Sequence, residues 1–306
     1  MDHGLPDDHT VRAALALAVR APSVHNTQPW RWRIADRSVH LYLDPTRALP
    51  STDPDQRDLV LSCGAALHHL RVAFAALGWS AVVHRLPNPA QPNHLASIEP
   101  VRHRPIPYEI ELSAAITRRR TDRRPFSAWP VPPGYLGLVT ERAATLGATV
   151  RQAADGSRDC LIEAMRAAAE RHAGDPGYRL EPAEWSGRHD GVQRSDEAHE
   201  SDCAELLVLS TSADHRLSRL CAGEALSAVL LTATNIGLAT CLLTEPLEIP
   251  ALRHRVRIGV LDDYGYPQAV IRIGWAPTSA ETLPATPRRP IEDVLDPCDA
   301  TEVAAC

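Results

Sequence analysis

Two stretches of this chain read alike at a fixed separation of 159 residues. Gly64-Ala65-Ala66-Leu67 aligns with Gly223-Glu224-Ala225-Leu226, and Leu77-Gly78-Trp79 aligns with Ile236-Gly237-Leu238 at the same offset. Each lies in a long alanine-rich segment with apolar residues at helical spacing. Each segment ends at a glycine, the residue that most readily closes a helix, and runs directly into an apolar strand. A repeat of this length constrains the fold to two related halves if it is a duplication. Two alanine-rich helices can also match by accident, so the repeat alone leaves both origins open.

The remaining elements follow from local signals. Thr10 can cap a helix over 10–20, whose Val11, Ala14, Leu15, Ala18 and Val19 form one apolar face. Trp30, Trp32 and Ile34 alternate with Arg31 and Arg33, the period of a strand, which pairs in a hairpin with 39–43. Asp53 as N-cap and Pro54 at the first helical position start a long helix over 55–77. Short strands at 79–84 and 94–98 come next. A short helix begins near 112 and runs into Arg118. The pattern then predicts helix 133–146, strand 148–153 and helix 157–171, followed by a polar stretch over 172–203. Strand 204–210, helix 216–236 and strands 238–243 and 268–274 complete the reading.

Composition excludes several function classes. With 306 residues, 44% of them hydrophobic, the chain can build one large domain or two ordinary ones. A net charge of −6 gives no reason to expect nucleic acid or an anionic membrane as a partner. No apolar run reaches the roughly 18 residues needed to span a bilayer, and the acidic opening Met1–Asp8 is unlike a secretory signal. All 32 basic residues are arginine. A Walker A loop and a Schiff-base or PLP enzyme both need a lysine, so both are excluded. Seven scattered cysteines without a Cys-x-x-Cys pair fit a reduced, cytoplasmic protein. His68 and His69 are adjacent and point apart on a helix, and His199 and Cys203 lie in a polar segment, so no protein-built metal site is expected. Neither Gly-x-Ser-x-Gly nor Gly-x-Gly-x-x-Gly occurs.

Four stretches carry chemistry. The first, Ala21 to Trp32, sets Pro22, Ser23, His25, Asn26 and Gln28 between a helix signal and a strand signal. Its directional donors and acceptors suit the edge of a flat polar ring, and proline cuts the cost of ordering the loop. A capped turn, with Ser23 and Asn26 bonding local backbone, fits the same residues. The second is Arg118-Arg119-Arg120-Thr121-Asp122-Arg123-Arg124-Pro125-Phe126 at a helix end. Guanidinium forks and a hydroxyl can grip a phosphate there, and a solvated basic linker fits as well. The third, Thr286-Pro287-Arg288-Arg289-Pro290, is either a second basic grip or an exposed tail. The fourth is the turn Thr244-Glu245-Pro246 after strand 238–243, in which Cys241 reads as a core thiol.

Together these stretches resemble the nitroreductase family, flavin enzymes that bind FMN between two subunits. The His25-Asn26 pair and the run Gln28-Pro29-Trp30-Arg31-Trp32 are most similar to the Acg-like branch, in which one chain holds two nitroreductase halves. The resemblance implies an α+β nitroreductase-like fold of two related halves, 1–110 and 111–306, forming an intramolecular pseudo-dimer. Helices 55–77 and 216–236 would then bury against each other. It implies FMN as cofactor, NADPH or NADH as electron donor, and a nitro, quinone or similar small molecule as acceptor. It assigns Pro22, Ser23, His25, Asn26 and Gln28 to the flavin ring. Thr244 and Glu245 match the turn beside the ring near N5. Arg119, Arg120, Thr121 and Arg123 match the phosphate motif Arg-Arg-Ser-x-Arg-x-Phe, with Thr121 in place of serine and Phe126 one residue late. Arg288 and Arg289 match C-terminal basic residues that reach the phosphate. No catalytic acid or base is implied, because the flavin carries the redox chemistry.

The distribution of the motifs implies one complete site. The ring motif lies in the first half, with no Arg-Arg-Ser-like stretch before Thr10. The phosphate motif lies in the second half, where Gly147-Ala148-Thr149-Val150-Arg151 replaces any Pro-Ser-x-x-Asn. The expected assembly is a monomer built as an internal pseudo-dimer, with a weak homodimer as a further option. A low-turnover protein that stores or sequesters FMN is the alternative function, and a redox-silent scaffold is a third. The stretch from Trp185 to Ala204 is shorter than in Acg-like relatives, which puts an active-site lid in doubt.

Overall fold

A computed structural model describes residues 6–178, 180–181, 204–277 and 281–296. In the first half, α1 (Asp8–Ala18) leads to strands β1 (Trp30–Ile34) and β2 (Val39–Leu43), then to α2 (Arg57–Ala76), β3 (Trp79–Arg85) and β4 (His94–Arg102). These strands form an antiparallel sheet in the order β1-β2-β4-β3. Helix α3 (Pro107–Arg118) follows, and the division at 110/111 falls inside it. The second half contains α4 (Pro133–Ala144), β5 (Thr149–Ala153), α5 (Asp155–Ala173), β6 (Glu205–Thr211) and α6 (Arg216–Asn235). It ends with β7 (Ala239–Leu243), the single turn α7 (Glu245–Glu248), α8 (Pro250–Leu261) and β8 (Tyr266–Gly274). Its sheet has the same order, β5-β6-β8-β7.

The symmetry axis of this pseudo-dimer passes between α2 and α6. A Cβ added at Gly64 would overlap the Leu220 carbonyl and lie 2.9 Å from Gly223 Cα; one added at Gly223 would overlap the Leu61 carbonyl and lie 2.8 Å from Gly64 Cα. Gly64 and Gly223 are repeat equivalents, and so are Leu61 and Leu220. A residue that touches its own equivalent is the mark of a two-fold interface. One turn further on, His68 Nδ1 and Ser227 Oγ, again equivalents, are 2.8 Å apart. Glycine is required at the crossing because the backbones approach too closely for a side chain. Helix α2 is long and apolar enough to cross a bilayer by length and composition, but 83% of that window is buried here as a core helix.

The helix starts are capped differently from expectation. Asp7 caps α1, accepting from Thr10 N at 2.7 Å, so Thr10 lies inside the helix. Helix α2 begins at Arg57 after Gln56, which is left-handed at φ 52°. Asp53 still satisfies the free amides: Arg57 N, Asp58 N and Leu59 N all donate to its carboxylate. One aspartate reaching forward thus does the work of a cap from outside the helix. The first residues of the two long helices also correspond. Arg57 reaches across to the carbonyls of Pro267 and Gln268. Arg216, its equivalent, reaches back to Asn93 Oδ1 at 3.2 Å.

Each sheet is extended at an edge by a segment that carries arginines. Thr121 forms a parallel bridge with Thr240 on β7, and Asp122 N donates to Thr240 O at 2.9 Å. The C-terminal arm crosses to the first half: Trp32 N donates to Val294 O and Asp296 N to Trp32 O, both at 2.7 Å. Arg31 pairs with Asp296 beside them. From Pro287 onward the arm therefore belongs to the second half in sequence and to the first half in contact, while Glu281 and Leu283 still bond the arginine run.

Candidate functional site

The loop of residues 19–29 is held in an unusual backbone. His25, Asn26 and Gln28 have φ of 45°, 58° and 51°, the left-handed region that L-residues avoid. Such strain persists only where surrounding contacts over-determine it, and it gathers at working sites. The contacts here are specific. Ser23 Oγ accepts from Gln28 N at 3.0 Å, the local turn bond, and Val24 N donates to Ser62 Oγ on α2 at 3.1 Å. Pro22 is buried beneath the loop.

The outer face of the loop holds the C-terminal arm. Asn26 Nδ2 donates to Pro287 O at 3.3 Å, and Arg288 Nη1 donates to Asn26 Oδ1 at 2.9 Å. Gln28 Oε1 accepts from Arg289 N at 2.8 Å. The Asn26 carboxamide is thus engaged on both ends, beside Arg288. Arg288 and Arg289 part here: Arg288 lines a small pocket, while the Arg289 guanidinium bonds Asp293 O and lies 3.9 Å from Asp44.

The pocket is lined by Arg20, Ile116, Arg119, Arg120, Thr286 and Arg288. Four guanidiniums converge there from the end of α1, the end of α3 and the arm. The side-chain bonds of Arg120 and Arg288 go to backbone carbonyls and to Asn26, with no carboxylate partner among the described residues. Nε of Arg20, Arg119 and Arg288 is buried without a partner. Burial, then Arg288, Arg120 and Arg20, push Arg119 down to about 9. Burial, then Arg20 and Arg120, push Arg288 down to about 10. Both stay charged at neutral pH. His69, fully buried nearby, is held well below the usual imidazole range by burial and then by Arg119. Burying like charges without a counter-ion is costly unless an anion completes the cluster. Unpaired buried N–H donors on the residues that line such a gap fit a phosphate.

The rest of the arginine run is placed otherwise. Thr121 is half-buried at the β7 bridge. Arg123 is exposed and acts on Cys241 from outside the pocket. Arg124, off the motif register, is paired with Asp122 at 2.7 Å.

A second wall joins the loop to the turn after β7. The His25 ring meets Tyr178 edge to face, with centroids 6.2 Å apart, and Tyr178 stacks on His172 at 3.5 Å. His172 Nε2 lies 3.7 Å from Glu248 Oε2, and Thr244 Oγ1 donates to Glu248 Oε1 at 2.7 Å. Glu245 begins α7, half-buried. The structure therefore brings His25, Asn26, Gln28, Arg119, Arg120 and Arg288 around one loop, with Thr244 reached through His172 and Tyr178. Sequence reading quoted Thr286 in the third stretch without giving it a role, and missed Arg20, Tyr178, His172 and Glu248. Arg20 stands next to the loop, and its charge at a helix end was a usable signal. Tyr178, His172 and Glu248 are brought in only by tertiary packing. Trp185 to Cys203, the stretch read for lid length, lies outside the described residues.

No family model matches the chain. It is 46% identical over 324 residues to the Mycobacterium tuberculosis (strain ATCC 25618 / H37Rv) protein named "Putative NAD(P)H nitroreductase Rv3131", covering 97% of this chain and 94% of that one. It is 40% identical over 320 residues to "Putative NAD(P)H nitroreductase acg" of the same organism, covering 93% and 95%. Among solved structures, the FMN and NADPH-dependent nitroreductase NfnB from a Sphingopyxis strain matches 60% of this chain and 97% of its own at 21% identity, with a TM-score of 0.45.

Proposed function

This chain belongs to the family of these mycobacterial nitroreductase-like proteins, and on that premise we propose that it is an FMN-dependent oxidoreductase using NADPH or NADH. Its substrate would be a nitro compound, a quinone or a similar small acceptor. The observation that carries this reading is an arginine cluster around the buried Arg119 that has no carboxylate partner among the described residues, set against a strained loop from the other half.

Arg20, Arg119, Arg120 and Arg288 would hold the FMN phosphate. Two or more charge-assisted bonds to a dianion would repay the cost of burying their charges. Thr121 and Arg123, which the family motif assigns to the phosphate, would support it from the same run. Pro22, Ser23, His25, Asn26 and Gln28 would set one side of the flavin, with Thr244 and Glu245 on another. Arg289 would fix the arm through its backbone and leave Arg288 as the charged contact. Bound FMN would supply two-electron redox chemistry by accepting and returning hydride at N5. The protein's part is orientation, charge balance and the exclusion of water by the His25–Tyr178–His172 wall.

The test is the visible spectrum of the purified chain, titrated anaerobically with NADPH. A yellow protein that bleaches, and recovers its colour on adding a quinone, is the expected result. Yellow protein that does not bleach would favour a flavin store. No flavin retained after incubation with FMN would overturn the reading.

A further inference from the structure

The turn after β7 carries a carboxylic acid that the flavin reading leaves unused. Glu248 closes α7 with its side chain 2% exposed. Oε1 lies 2.7 Å from Thr244 Oγ1, accepting the hydroxyl when Glu248 is a carboxylate and donating to Oγ1 when it is the acid, which frees the threonine hydrogen; Oε2 is buried with no hydrogen-bond partner and faces His172. Asp58 and Asp53 approach from the first half and Glu245 from its own helix, all adding negative charge. The nearby cations are committed elsewhere: Arg57 to Asp58 and to backbone carbonyls, and Arg253 to Leu247 O. Burial first, then Asp58, keep the carboxyl protonated up to about 8. A protonated acid bonded to a hydroxyl, on the turn that the family places beside the flavin, is arranged as a proton store.

We propose that Glu248 is a positioning residue for proton delivery, holding Thr244 as the donor and replacing the proton that Thr244 gives to the acceptor. The inference rests on the flavin reading. For a quinone, NAD(P)H is oxidised and supplies the hydride, while the quinone is reduced. The Thr244 O–H bond breaks as a quinone oxygen takes that proton. The Glu248 O–H bond breaks as Thr244 recovers its own, and solvent returns a proton to Glu248. The sum is quinone plus NAD(P)H plus a proton giving hydroquinone and NAD(P)+.

The test compares pH profiles of kcat for quinone reduction in the FMN-loaded parent, Glu248→Gln, Thr244→Val and Thr244→Ser. The parent should lose kcat as pH rises through about 8, where the store empties. Glu248→Gln and Thr244→Val should lower kcat on the order of 100-fold with little change in KM, and should flatten that alkaline limb. Thr244→Ser should restore both. Infrared spectra provide a readout free of turnover: a protonated-carboxyl band at neutral pH in the difference between the flavin-free parent and Glu248→Gln, from which the contributions of Asp53 and Asp58, also raised, cancel. Variants that retain FMN and keep the parental profile, or a parent without that band, would overturn the inference alone. A parent that binds no FMN would overturn the flavin reading with it.

Discussion

The two halves share a strand order and differ in how their first helix reaches their first strand. In the first half, residues 19–29 form a long loop with three left-handed residues, and the arm docks on it. In the second, residues 145–148 turn directly from α4 into β5, with Gly147 at φ 80° supplying the one left-handed position. That turn is too short to present a carboxamide or an imidazole to anything. The charge pattern is reversed: Asp7 and Asp8 start α1, whereas the arginine run precedes α4. A symmetric frame thus carries asymmetric equipment, and each half retains what the other lacks. The lesson is that the interface and the site are under different demands. The glycine crossing needs both halves alike, while one site needs only one copy of each part.

The largest expected effect tests the shared part. Gly64→Ala and Gly223→Ala each set a Cβ onto the opposing backbone. Overpacking costs up to ~3 kcal/mol, while alanine's better helix propensity returns only ~1 kcal/mol. Both variants should therefore lose stability, and by similar amounts, in denaturant melts. A loss at one position and none at the other would break the two-fold account.

The next tests the asymmetric part. Arg119→Ala removes a buried donor, and a hydrogen bond to a charged group is worth ~1.5–3 kcal/mol. FMN affinity should fall about tenfold or more, while the flavin-free chain should melt no lower than the parent, because repulsion with Arg288 and Arg120 is relieved. Fluorescence titration and thermal melts read the two effects. Arg124→Ala, which removes the Asp122 pair and a bond to Glu281 O outside the pocket, should leave affinity nearly unchanged. Equal losses at both would argue for a diffuse basic patch.

Asn26→Ala should have a smaller effect. Its carboxamide holds Arg288, so FMN affinity should drop several-fold through loosening of the arm. Because Asn26 would also border the flavin, the potential of the bound flavin should shift as well, and an unchanged potential would leave Asn26 with the arm alone.

The smallest effect concerns pH. Burial and then Asp58 raise Asp53 to about 7, and Glu248 is raised to about 8. Below the usual carboxylate range both are protonated whether folded or unfolded. Above it the folded chain keeps protons that the unfolded chain releases, so stability should decline as pH rises from the usual carboxylate range to about 7 to 8, and level off beyond. Glu248→Gln should flatten the upper part of that decline in melts across pH. The equivalents of Asp53 and Asp58 at the offset of 159 are Ser212 and Leu217, so this cluster, too, exists on one side only.

Much of the frame was legible because it rests on local signals. The two long helices, their terminal glycines and the alternating strand 30–34 were readable from spacing. The arginine run and the loop of residues 21–32 were readable as chemistry. Helices α7 and α8 had no place in the sequence reading, because Pro246 and Pro250 look like turn residues and in fact start helices at their first turns. The docking of the arm, which selects Arg288 over Arg289, depends on contacts across more than 260 residues, such as Arg289 N to Gln28. Arg20 enters the pocket only once α1 and α3 are packed together.

The central claim is that one chain builds one flavin site from parts of both halves. Flavin released by heat from the FMN-saturated chain, measured against protein, tests it most directly. The account predicts about one FMN per chain. A ratio near two would show that the short turn at 145–148 still supports a second site, and would contradict it.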